Sequence, residues 1–535
     1  MTSTQELSPG ITRRSVLAGL PAAAVLLGSV ACPSLLFAQD ADAGAMTQGQ
    51  PFSFDLLTEA MRDKARQPHQ VETLAPSFLD GLQYDDYRLI QFRRDRARWS
   101  EDDRGLFRVH AFHLGWLFNE PVHVAEVVDG RASELVFSTD DFEYFNELAE
   151  RVPEHTEMPG VAGFRLNFPL NRSDILDEVV AFVGASYFRA LGQGNSYGIS
   201  ARGLAINTGL PSGEEFPRFS HFWLERPAPG AREIVVHAAL ESPSVTGAYR
   251  FVITPGVETV MEVTARLFFR ADVEQLGIAP LTSMFLYDEK NRSGFDDYRP
   301  QVHDSNGLHI TRADGETLWR PLNNPPRLAS SYFTEANPQS FGLHQRDRDF
   351  DLYQDKGARY EARPSLNVEP LGDWGLGAVR LVEIPTDLEV NDNIVAFWVP
   401  DTPVRAGDER EYRYRLRWGN IDPDEKADRA WVHETRAGAA GAAGVAAPED
   451  QRKFVIDFKG GMLGRLPEDA KVEPAIWISQ GEIVSKTLYK LPQNDMWRLV
   501  LDVQGPRGST IELVAHIAGY DRKLSETWLY QWMRP

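Results

Sequence analysis

From about Tyr87 onward the chain is dominated by short runs in which apolar and polar residues alternate. Val260 to Phe269 sets Met261, Val263, Ala265, Leu267 and Phe269 on one side, with Glu262, Thr264 and Arg266 on the other. Glu411 to Trp418 repeats the pattern, with Tyr412, Tyr414, Leu416 and Trp418 opposed by Glu411, Arg413, Arg415 and Arg417. A period of two sends successive side chains to opposite faces, so each run predicts a strand with one buried face. Gly105 to Gly115 and Ile234 to Leu240 are further extended runs. Clusters of Gly, Pro, Asn and Asp separate them, the punctuation of antiparallel sheets rather than of βαβ units. A helical period is clearest in Ser53 to Gln67, where Phe54, Leu57, Met61 and Ala65 share a face. The pattern predicts an all-β fold.

The organisation follows from length and from breaks in that pattern. A chain of 535 residues exceeds one hydrophobic core, which predicts two domains. The division falls at the polar run Gly419 to Arg429, GNIDPDEKADR, which gives a linker over 420–430. Beyond it, strands are expected at Phe454–Phe458, Trp497–Val503, Ile511–Ile517 and Glu526–Trp532. About a hundred residues of short strands indicate an immunoglobulin-like β-sandwich over 431–535. Ala437 to Ala447 is rich in Gly and Ala and lacks side chains to pack, so it reads as a mobile surface loop or a lid ordered by substrate.

The first 38 residues read as a signal peptide. Thr12-Arg13-Arg14-Ser15-Val16-Leu17 sets paired arginines before an apolar run, the pattern of twin-arginine export to the periplasm. Residues 39–51 are polar and expected to be disordered. The run holding Gly19, Pro21 and Gly28 is short for a spanning helix, so no stable membrane insertion is expected after cleavage. The single cysteine, Cys32, lies inside it. A lipoprotein signal at Cys32 is disfavoured because the position three before it is not Leu. Without Cys32 the mature protein has no thiol for a disulfide or a cysteine metal site.

Charge narrows the partners. A formal net charge of -21 leaves no basic footprint for phosphates, which argues against nucleic acid. The 12 Trp, 16 Tyr and 29 Phe would suit stacking on sugar faces, although most such rings serve the core.

Several motifs fail on context. Gly194-Asn195-Ser196-Tyr197-Gly198 fits the hydrolase elbow G-x-S-x-G, but a strand and not a helix follows it, so it reads as a turn. Asn420, Asp422 and Asp424 begin like a calcium loop without its Gly and terminal Glu. His110 and His113 lie three apart on a strand-like segment and face opposite ways, so no shared metal is expected. The denser constellation is Tyr298 to Leu308, YRPQVHDSNGL, which places His303, Asp304, Ser305 and Asn306 in consecutive positions. A second turn-borne acid, Asp392, precedes the apolar run of EVNDNIVAFW. Two acids on separate loops over a β scaffold are the minimum equipment for cleaving a glycosidic bond. From spacing alone, each could equally be a turn residue capping its own backbone.

Taken together, GASYFRALG (Gly184 to Gly192), SARGLAI (Ser200 to Ile206), LPSGEEFPRF (Leu210 to Phe219), VHDSNGL, WRPLNNP (Trp319 to Pro325), NDNIVAFW (Asn391 to Trp398) and LSETWLYQ (Leu524 to Gln531) resemble one family throughout the mature chain. It is the osmoregulated periplasmic glucan biosynthesis proteins of the G and D types, and the twin-arginine leader favours the D type. The resemblance implies a galactose-mutarotase-like β-sandwich catalytic domain over 52–419, ahead of the immunoglobulin-like one. It implies an inverting, endo-acting enzyme on β-1,2-glucan, with Asp392 as general acid and Asp304 as general base acting through a chain of waters. Tyr360 borders that water path in the family, and His303, Ser305 and Asn306 join it as substrate or water-path candidates. It implies neither metal nor cofactor, and D-type relatives imply a homodimer. One position departs from the family: Val390 stands where a Thr is usual, and a valine cannot hold a relay water. Hydrolysis, transfer to a sugar hydroxyl with cyclisation or branching, and non-catalytic scaffolding of a synthase therefore remain open.

Overall fold

The computed structural model describes residues 49–534 apart from 102–103, 425, 442–443 and 445–446. The signal segment and 39–48 lie outside the described residues. Strands hold 46% of the described residues and helices 9%, so the fold is all-β, as the alternating pattern requires.

Two large sheets pack face to face. At the centre of a sixteen-stranded sheet, Ile234–Glu241, Val245–Thr254, Thr259–Phe269 and Glu409–Gly419 run antiparallel in that order. The alternation in Thr259–Phe269 is the burial pattern observed, with Met261, Val263, Ala265 and Leu267 inside. The opposing ten-stranded sheet contains Leu276–Ser283, Ile394–Pro400 and Leu376–Glu383. Aromatic rings close the space between the sheets: Phe182 lies 5.2 Å from Phe222 and 5.3 Å from Phe251, and Phe188 lies 6.0 Å from Trp418. Each such buried side chain contributes about 1.5–3 kcal/mol relative to exposure. The predicted helix forms at Phe54–Ala65, capped by Ser53, whose hydroxyl accepts from Leu56 N at 3.2 Å. Its Leu57 and Met61 pack on Ala239, Ala248 and Phe268, on the outer face of the large sheet.

The C-terminal segment forms a sandwich of its own that shares a sheet with the rest. A four-stranded sheet built on Gln451–Lys459 and Trp497–Gln504 faces Thr510–Gly519 and Thr527–Met533. Those last two strands belong to the sixteen-stranded sheet, through a short parallel pairing of Thr317–Pro321 with Thr527–Met533 at Leu318↔Thr527 and Trp319↔Trp528. Trp319 accordingly packs with the C-terminal core. Arg346 pins the seam. It spans both oxygens of Glu526 at 2.9 and 2.8 Å, donates to Val432 O at 2.7 Å and lies 3.6 Å over the Trp319 ring.

Two expectations need correction. Gln50 and Pro51, placed in a disordered stretch, pair with Ala132 and Arg131 as an edge strand. Ala437 to Ala439, placed in a loop, are the end of the strand Trp431–Ala439 and pair with Phe454, Lys453 and Arg452. Small side chains do not prevent pairing, because the ladder bonds are made by backbone.

Candidate functional site

The segments that carry the two aspartates meet at one dipeptide, Met284-Phe285. Phe285–Tyr287 and Val302–His303 pair antiparallel, with Phe285 opposite His303. The next residue, Asp304, donates its backbone N–H to Met284 O at 2.8 Å. From the other side, the Asn393 side chain brackets Phe285: its Oδ1 accepts from Phe285 N at 2.8 Å, and its Nδ2 donates to Phe285 O at 2.9 Å. Asp392 is therefore held one residue from Asn393, which is 2% exposed. The Asp392 charge acts on the Asp304 carboxyl, so the two groups share one electrostatic neighbourhood. Asp392 itself is partly exposed.

Asp304 is 4% exposed and carries a carboxyl raised to about 6. Burial is the main cause, and the negative charge of Asp392 adds to it. Arg363 opposes both through an ion pair with Asp304 Oδ1. Its guanidinium also lies 4.2 Å over the Tyr360 ring. Tyr360 is 2% exposed, and its hydroxyl is pushed up by burial, with Arg363, Glu389, Asp304 and Arg299 all acting on it. Asp304, Arg363, Tyr360 and Glu389 on the loop before Asp392 are thus close electrostatic neighbours.

The other members of the VHDSN run are buried beside Asp304. His303 has no exposed surface and stacks on Phe285 at 5.4 Å. Its Nε2 bonds to Gln301 Oε1 at 2.7 Å and its Nδ1 accepts from Gln345 Nε2 at 3.3 Å. Burial, then the charges of Lys290 and Arg363, hold the imidazole well below its ordinary range, so it is neutral. Ser305 is equally buried, with its hydroxyl 2.7 Å from that of Ser283. Asn306 Oδ1 accepts from Arg346 N at 3.0 Å. These contacts of His303, Ser305 and Asn306 help to fix the Asp304 turn. Val390 is 71% exposed on the loop that carries Asp392.

Sequence reasoning missed the pairing of Arg363 with Asp304, which joins positions 59 residues apart. A signal was present in the rejected G-x-S-x-G run. Gly194 to Gly198 is a turn without a nucleophile elbow. Ser196 N and Asn195 Nδ2 donate to Ala362 O at 2.9 and 3.1 Å. A Cβ at Gly198 would meet Arg363 Cβ at 3.0 Å. The glycine gives the Arg363 stem its room. Among the described residues, no group of three or more His, Cys, Asp or Glu is arranged to hold a metal, and no helix is long and apolar enough to cross a membrane.

Comparison with known proteins agrees with the resemblance. Residues 52–532 match the family described as "Periplasmic glucan biosynthesis protein, MdoG". "Glucans biosynthesis protein G" of Cereibacter sphaeroides is 61% identical over 98% of this chain and 98% of its own. The protein of the same name from Rhodopseudomonas palustris strain BisA53 is 43% identical over 98% and 100%. "Probable glucans biosynthesis protein D" of Shewanella oneidensis is 45% identical over 86% and 84%. Both types named by the resemblance are thus among its relatives, and the chain belongs to the MdoG family of periplasmic glucan biosynthesis proteins.

Proposed function

We propose that this chain is a periplasmic, inverting, endo-acting β-1,2-glucanase, exported by the twin-arginine pathway, that shapes the backbone of osmoregulated glucans. The observation that supports it is that Asp304, through its backbone, and Asn393, the neighbour of Asp392, are bonded to adjacent residues, Met284 and Phe285, with the Asp392 charge acting on the Asp304 carboxyl. Asp392, partly exposed, is the general acid that protonates the departing glycosidic oxygen. Asp304, buried and paired with Arg363, is the general base that takes a proton from the attacking water on the opposite face of the sugar. Tyr360 lies against Arg363 and borders the route between them. Neither metal nor organic cofactor enters the reaction. The catalytic unit is 52–419, joined by 420–430 to the C-terminal sandwich, and two copies form the working particle.

Incubation with linear β-1,2-glucan, followed by chromatography and mass analysis, tests the reading. Shorter chains with new reducing ends are expected; unchanged glucan would overturn it in favour of a binding scaffold. The base must be ionised, so kcat/KM is expected to rise with pH through about 6, where the Asp304 carboxyl titrates. Arg363 stabilises the carboxylate form. Arg363→Gln is therefore expected to move this limb to higher pH, and an unmoved limb would detach Asp304 from the base role.

A second product outcome is favoured by Val390. An exposed valine offers no hydroxyl to a relay water, so a sugar hydroxyl competes as nucleophile and yields cyclised or branched glucan. Val390→Thr is expected to raise the share of reducing-end products several-fold. Products from wild type consisting of reducing-end oligosaccharides alone would sink the transfer outcome.

A further inference from the structure

Three loops come together around the two aspartates. On the loop that carries Asp392, Leu388 is 56% exposed, the Glu389 side chain 45% and Val390 71%. The second is the turn from Asp355 to Arg363, which carries Tyr360 and the partner of Asp304. The third is the segment leading into Asp304 itself, at Asp297 to Gln301.

One guanidinium touches all three. Arg299 is 12% exposed, and its Nη2 lies 2.7 Å from Glu389 Oε2 and 2.7 Å from Asp297 Oδ2. Its Nη1 lies 2.9 Å from Asp355 Oδ2. Asp355 is itself fixed, because its Oδ1 accepts from Gly357 N and Ala358 N, both at 2.9 Å. Asp297 accepts from the Arg299 backbone N–H at 2.9 Å, which sets the start of the base's segment. The charges of Arg299 and Glu389 both act on the Tyr360 hydroxyl. Three carboxylates around one planar fork form a network in which geometry is over-determined, unlike an isolated surface pair.

We infer that Arg299 is a positioning residue. It latches the tip of the Asp392 loop, through Glu389, to the Asp355 turn and to the base's own segment, and so fixes the width of the groove between acid and base. This rests on the glucanase reading. It assigns Arg299 no contact with sugar; its effect passes through the loops it ties. Displacing a reacting group by about 1 Å can cost on the order of 10²-fold in rate.

The experiment compares wild type, Arg299→Met, Arg299→Lys, Glu389→Gln and the double variant Arg299→Met/Glu389→Gln on linear β-1,2-glucan, in kcat and KM separately. Glu389→Gln changes a half-exposed side chain and leaves Asp355 and Asp297 paired, so it is expected to fold. It is expected to lower kcat about tenfold with little change in KM, and Arg299→Met about a hundredfold. The double variant is expected to match Arg299→Met alone, because the second change removes a contact already lost. Arg299→Lys keeps the charge without the fork and is expected to recover only part of the loss. Wild-type kcat in Glu389→Gln, or losses that multiply in the double variant, would overturn the latch while leaving the glucanase reading intact. Failure of wild type to cleave the glucan would overturn the reading itself.

Discussion

Asp392→Asn is expected to lower turnover of linear β-1,2-glucan by about 10²–10⁴-fold while glucan binding is retained. The substitution keeps the size of the side chain and removes its capacity to deliver a proton to a leaving alkoxide. Asn393 continues to grip Phe285, so the loop stays in place. The loss is expected to depend on the leaving group. A β-1,2-linked aryl glucoside with a nitrophenol aglycone departs without protonation, and on it the variant is expected to recover most of the lost rate. Asp304→Asn is expected to show no such recovery, because the missing function lies on the nucleophile's side. The pair of substrates also separates a swapped assignment. A carboxyl at about 6 suits a general acid as well as a general base. Recovery by Asp304→Asn on the aryl substrate would exchange the two roles. Equal glucan processing by wild type and both variants would leave the chain a scaffold.

The all-β fold was legible because the strands that build the core carry an apolar face that alternation exposes. Thr259–Phe269 and Glu409–Gly419 are the clearest cases, and they pair with each other along their length. The end of the strand Trp431–Ala439 was hidden for the converse reason: Ala437, Gly438 and Ala439 show no alternation of apolar and polar side chains. The continuity of the large sheet across the polar linker was hidden too, since it depends on two residue pairs between strands over 200 positions apart. At the site, the turns singled out the two aspartates, and only the family resemblance implied roles for them. Sequence could not show that Asp304 would be buried. Its carboxyl is raised by that burial, with its backbone bonded to Met284, and the environment is made by residues distant in the chain. Arg363 and Arg299 were invisible as partners on the same ground. An arginine in a loop carries no mark of the carboxylate it will meet.

Arg346→Met is expected to destabilise the seam between the C-terminal sandwich and the rest of the large sheet by about 3–5 kcal/mol at neutral pH. Glu526 is 6% exposed and accepts from Arg346 twice and from Val432 N at 2.8 Å, with His309 Nε2 at 3.4 Å. Burial alone would push its carboxyl up. Arg346 and these hydrogen bonds more than offset that, and the group ends well below the usual carboxylate range. A carboxyl lowered on folding contributes stability above its unfolded pKa of about 4.3, and that contribution is lost as pH falls below it. In Arg346→Met the sign reverses. Burial dominates, the folded pKa rises above the unfolded one, and stability is highest at low pH and falls as pH rises. Hydrogen exchange of the amides in Thr527–Met533 reads the local opening free energy directly. Wild type is expected to open more readily as pH drops below about 4.3, and the variant less readily. Arg346→Met combined with Glu526→Leu removes both charges and is expected to regain much of the loss, because what is costly is the unpaired carboxylate rather than the absent bond. Opening free energies within about 1 kcal/mol of wild type in the single variant, with an unchanged pH slope, would show that the pair is screened by solvent and that the parallel strand pairing alone holds the seam.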